Sequence, residues 1–202
     1  MLKVLNSAVY AASDRVDMVI PGQIQKLFNT IQKITNKNSE QAKSWNEWIN
    51  AVKNINPSLL VLLPHTSKSG PQNANTMEIG KNSKLTNDYI KSYHIRPTLM
   101  LPPPVVLLLG CETIGIDNPF QSFIAQFRRN GAAIVLSTLT EILGRHAAPI
   151  AEKIIDNLKQ VSKEGKSLGD ALIVVRRKAL AEGIPMVLSL VAYGDADWRF
   201  KS

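Results

Sequence analysis

The chain predicts a three-layer α/β/α sandwich around a mainly parallel sheet. Three observations carry that expectation. The runs Leu59–Pro64, Val105–Leu109 and Ala132–Thr138 are apolar almost without interruption, as strands covered on both faces are. Amphipathic segments of helical length separate them. Gly, Pro, Asn and Ser gather at the junctions and mark where one element gives way to the next.

Taken in order, Lys3–Ala12 alternates apolar and polar residues and reads as the first strand. Gln23–Thr35 and Glu40–Asn54 read as two helices, with Ser39 as N-cap of the second. Leu59–Pro64 is the first fully buried strand, bounded by "NPS" and "PHTSKSGP". Thr66–Asn75 is expected to be a polar, mobile loop, open to limited proteolysis. "MEIGKNSKL", Met77 to Leu85, suits a hairpin flap turning on Gly80 and Asn82. Thr86–Tyr93 reads as a short helix, Val105–Leu109 as the second buried strand, and Pro119–Asn130 as a helix ended by Gly131. Ala132–Thr138 is the third buried strand. Glu141–Val161 is a long helix with a bend expected near Pro149, Leu168–Glu182 a helix ended by Gly183, and Pro185–Tyr193 the closing strand. Without repeats or low-complexity tracts, 1–202 is expected to be a single domain.

Bulk composition removes several classes. The formal net charge is +8, which permits an acidic partner. Yet the cations are scattered, and only "FRRN" and "VRRK" join two arginines, so nucleic acid is disfavoured as a direct ligand. No apolar run is long enough for a membrane span, and the N-terminus makes a poor secretory signal. One cysteine rules out an internal disulfide and a cysteine-based zinc site, and the expected compartment is cytoplasmic. "GxxxxGK[ST]" and a strand-linked "GxGxxG" are both absent, which disfavours a nucleotide-binding domain.

That one cysteine, Cys111, follows the strand in "PVVLLLGCET", and His65 follows the strand in "SLLVLLPHTS". Open α/β sheets place functional groups at the carboxyl ends of strands. If the two strands are parallel neighbours, the imidazole and the thiol share one rim. A thiol needs a base or a cation beside it to act as a thiolate near neutral pH. On spacing alone, a Cys–His dyad stands level with a plainer reading, an inert buried thiol and a histidine bonded to loop backbone.

The pieces "PSLLVLLPHTS", "PVVLLLGCET", "FIAQFRRNGAAIVLSTL", "GRHAAPIAEKI", "SLGDAL" and "LVAYGDADWRF", in that order, resemble a CHAT domain. CHAT domains belong to the caspase-like group of cysteine proteases that includes caspases, separase and gingipains. The resemblance spans about Leu59 to Phe200 and, more loosely, "VLNSAVYAASDRVD". It implies a caspase-like fold and cysteine endopeptidase activity on a protein partner, with His65 as base and Cys111 as nucleophile. It further implies oxyanion donors in the backbone at Gly110, Glu112 and Thr66, a thioester acyl-enzyme, no metal or organic cofactor, and control by an activating or regulatory protein. Two departures stand out. Thr66 occupies the place after the histidine where the family usually has Gly, and only one clear strand precedes the histidine strand where two are common. These favour an alternative, a catalytically inactive regulatory or binding module of a larger assembly. They also raise the expectation that a strand–helix unit is missing or that the chain is part of a longer protein.

Other polar residues carry double readings. Asp14, Arg15 and Asp17 follow the first strand and suit either the pocket for the residue before the cut or a surface ion pair. Glu112 suits thiolate tuning or a solvated loop end. Thr138, Thr140 and Glu141 suit substrate subsites or helix capping. His146 and His94 read as packing or surface histidines, Asp195 and Asp197 as a turn with Trp198 plugging the core edge, and Trp45 with Trp48 as a pair facing the sheet.

Overall fold

A computed structural model describes residues 2, 4–18, 20–69, 74–110, 123–139, 144–195 and 197–200. Nine strands and five α-helices occur among them: β1 Ala8–Ala12, α1 Gln23–Ile34, β2 Ser39–Ala42, α2 Trp45–Ile55, β3 Leu59–Leu63, β4 His65–Ser69, β5 Ala74–Ile79, β6 Ser83–Thr86, β7 Val105–Leu108, α3 Phe123–Arg129, β8 Ile134–Thr138, α4 Gly144–Glu164, α5 Leu168–Ala181 and β9 Leu190–Tyr193. Six strands form one sheet in the order β2-β1-β3-β7-β8-β9, and β4-β5-β6 form a small separate sheet. The large sheet is parallel except for β9, which runs antiparallel to β8.

Alternation along the strands builds the layers. Tyr10, Val61, Leu107 and Leu136 enter one apolar cluster with Leu27 and Ile31 of α1, Ile150 and Ile154 of α4 and Leu172 of α5. Their neighbours Val9, Leu60, Val106 and Val135 enter a second cluster with Trp48 and Val52 of α2 and Phe123 and Phe127 of α3. A sheet buried on both faces needs apolar residues at every position, which is why β3 and β7 read as unbroken apolar runs. Trp45 and Trp48 do face inward together, ring centroids 6.1 Å apart and edge to face.

Several boundaries differ from expectation. Residues 40–54 are not one helix: Ser39–Ala42 is an edge strand beside β1, and two strands therefore precede the histidine strand. The N-cap of α2 is Ser44, not Ser39. Its side chain accepts from the Glu47 N–H (3.2 Å), while the Glu47 carboxylate accepts from the Lys43 N–H (2.8 Å). Much of 66–75 is strand rather than loop, stitched by the Ser67–Thr76 hydroxyl pair at 3.0 Å. The hairpin β5–β6 turns on Gly80 and Asn82, both at positive φ. Residues 86–93 form 3-10 turns at Asn87–Tyr89 and Ser92–His94, and 185–189 a further one before β9.

Candidate active site

The carboxyl rim of the large sheet is where β1, β3 and β7 deliver their next residues. The ladders run slightly beyond the strands: the Ser13 N–H donates to the Leu63 carbonyl (2.9 Å) and the Leu109 N–H to the Leu62 carbonyl (3.0 Å). At the rim, Gly110 lies against Pro64. A side chain at position 110 would come within 2.6 Å of the Pro64 carbonyl oxygen, so the missing Cβ is what lets the two strand exits touch. His65 is the next residue on one exit. Cys111 and Glu112, next on the other, lie outside the described residues, as do Thr140 and Glu141.

His65 opens β4 and is partly exposed, directly across from Glu78 on β5. Burial and the Arg15 and Lys84 cations hold its imidazole below the ordinary value of 6.5, against the opposing pull of the Glu78 carboxylate. Glu78 is 5% exposed and is flanked at 3.8 Å by both Arg15 and Lys84. No residue pattern points to it: the run 76–79 is buried throughout, so no alternation marks the carboxylate as special.

The remaining candidates divide. Arg15 lies in the 3-10 turn Asp14–Val16 beside Glu78. Asp14 is exposed, with its backbone N–H donated to the Gly80 carbonyl (3.2 Å), which docks the hairpin turn on this rim. Asp17 turns away and accepts from the Ile24 N–H in the first turn of α1 (2.9 Å). Thr66 and Thr138 are buried, and the hydroxyl of each has no hydrogen-bond partner among the described residues. The other two histidines lie elsewhere. His94 is buried against Trp45, its Nδ1 accepting from the Lys91 N–H (3.0 Å), and His146 sits on α4. Asp195 accepts from the Asp197 N–H in a turn (2.9 Å), and Trp198 packs against the first cluster. No set of three potential metal ligands occurs among the described residues.

Two open clefts, about 580 and 420 Å³, lie at the opposite, amino-terminal rim, where both are lined by Val4 and Asn6. Neither includes His65, and the chemistry of the site does not follow their size. Catalysis needs a nucleophile and a base in reach of one another, and these clefts contain no such pair.

No family profile matches the chain, nor does any curated protein. Solved structures do. The Arg-specific cysteine proteinase gingipain R matches with a TM-score of 0.66 at 12% identity, covering 96% of this chain and 47% of that one. Saccharomyces cerevisiae separase, in complex with securin, matches at 0.57 and 16% identity over 100% of this chain and 12% of that one. The Drosophila initiator caspase Dronc matches at 0.51 and 11% identity, over 98% and 84%. The chain thus spans less than half of the gingipain structure and a small part of the separase one. What the three share with it is architecture: the mainly parallel six-stranded sheet between helices is the caspase-like fold.

Proposed function

We propose that the chain is a caspase-like cysteine endopeptidase of the CHAT type, acting through His65 and Cys111. The observation that carries this reading is the contact of Pro64 with Gly110 at the shared rim of two parallel strands. Neighbouring strands lie about 4.8 Å apart, so the residues that follow, an imidazole and a thiol, start from adjacent exits. The fold of the solved cysteine proteases supports it. The CHAT assignment rests on the ordered sequence pieces.

In this reading the Cys111 sulfur attacks the carbonyl carbon of the scissile peptide, and its proton passes to His65. Backbone N–H groups at 110–112 and at Thr66 stabilise the oxyanion. The imidazolium then protonates the departing amine, leaving a thioester. Water, giving its proton to His65, attacks that thioester; collapse releases the new carboxyl terminus, and the sulfur recovers the proton. Asp14, Arg15, Thr138 and Glu141 are the substrate-side candidates. Protein partners suit such an enzyme, and the separase neighbour was solved with one. No described helix is long and apolar enough to cross a membrane.

Thr66 favours a second reading, a silent regulatory module. Its side chain is buried where the family usually has Gly, which crowds the second oxyanion donor. A denatured-protein library digested with the full chain and with Cys111→Ala separates the two. Cleavage that depends on Cys111 supports the peptidase. Equal cleavage by the variant, or none by either protein, overturns it.

A further inference from the structure

Glu78 differs in burial from the other charged side chains around it. Among the described residues it is the only Asp, Glu, Lys or Arg that is buried. Removing a carboxylate from water is costly unless charge partners compensate, and here the partners do so from a distance. Arg15, from the turn after β1, and Lys84, its cross-strand neighbour on β6, each stand at 3.8 Å, longer than the contacts of a charge-assisted hydrogen bond. On its other side Glu78 pairs across the small sheet with His65, and directly paired residues have Cβ atoms about 5 Å apart. The fold therefore gathers a row of charges, Lys84, Glu78 and Arg15, against one imidazole. The hairpin that carries Glu78 is tied to the strand that precedes Arg15: the Gly80 N–H, two residues after Glu78, donates to the Ala12 carbonyl (2.8 Å) at the end of β1.

We propose that Glu78 is a positioning residue for His65, its buried carboxylate holding the ring in place and favouring the charged imidazolium that a thiolate needs, with Arg15 and Lys84 setting the strength of that bias. The proposal builds on the reading of His65 as half of a dyad. Among the described residues, the charged groups facing His65 are these three, Arg15 from the β1 exit, Glu78 from β5 and Lys84 from β6. Their signs make the effect specific. Removing Glu78 leaves two cations against the imidazole and lowers its proton affinity. Removing Lys84 frees the carboxylate from one competitor and raises it.

The test follows the His65 ring signals by NMR against pH in the full chain carrying Cys111→Ala, so that no thiolate contributes. Relative to that parent, Glu78→Gln shifts the midpoint down and Lys84→Gln shifts it up. A role confined to stability would not produce shifts of opposite sign. Lys84 is exposed, so its arm survives even if Glu78→Gln folds poorly. Midpoints that stay put, or move in the same direction, overturn the proposal even where the wild-type chain cleaves normally. A wild-type chain that cleaves nothing fails the dyad reading alone, because these titrations do not require turnover. In an active chain the acid limb of kcat/KM moves with the midpoint in each variant while KM holds.

Discussion

Gly110 and Pro64 hold the two strand exits together through the absence of one carbon. Adding it in Gly110→Ala forces the new Cβ to within 2.6 Å of the Pro64 carbonyl oxygen. The expected cost is about 1–3 kcal/mol, seen as a lower urea midpoint, together with slower modification of Cys111. Thr66 offers the opposite test. Its hydroxyl is buried and unpaired among the described residues, so Thr66→Val should stabilise the chain by up to about 1 kcal/mol, since it removes a polar group that has lost water without gaining a partner. The two depressed histidines act on stability together. Burial lowers His94, whose Nδ1 must stay unprotonated to accept from Lys91, and burial with Arg15 lowers His65. Each binds its proton more readily in the unfolded chain, so stability falls as pH drops through the ordinary value of 6.5. Denaturant midpoints at pH 7.5 and 5.5 should show this fall, and His94→Gln should reduce it.

At the scale of elements, legibility followed burial. β3, β7 and β8 were plain in the sequence because both faces of each are covered and nothing polar interrupts them. α1 and α5 were plain because each carries an apolar stripe, and Gly183 marks where α5 ends. β2 was hidden. An edge strand that pairs on one side only, with Ser39, Glu40 and Gln41 partly or fully exposed, carries no apolar pattern. It was absorbed into the following helix, although Ser44 and Glu47 spell the Ser-x-x-Glu cap that marks the true start. β4 was hidden for a related reason. Its "HTSKS" has the composition of a loop, and its pairing with β5 comes from backbone and hydroxyl bonds rather than from apolar faces. The cap of α2 is a measurable consequence: Ser44→Ala should cost about 1 kcal/mol in thermal or urea unfolding, whereas Ser39→Ala should not disturb the helix.

For the whole molecule, the sheet sets its two rims apart. The carboxyl rim collects His65, Thr66, Gly110, Arg15 and Thr138, and the docked hairpin turn seals it beside β1. The amino rim holds two open clefts whose described lining includes no nucleophile–base pair. Placement of His65 on the carboxyl rim was legible because strand polarity alone fixes which end of β3 it occupies. Glu78 was not, because it reaches the site through a second sheet whose strands resemble loops. A working dyad requires proximity between the His65 imidazole and the Cys111 sulfur. The most direct measurement is the rate of Cys111 alkylation by iodoacetamide as a function of pH, in the wild-type chain and in His65→Gln. The expected result is a wild-type inflection well below the value of about 8.5 usual for a free thiol, and a return toward that value in the variant. Two superimposable profiles would contradict it.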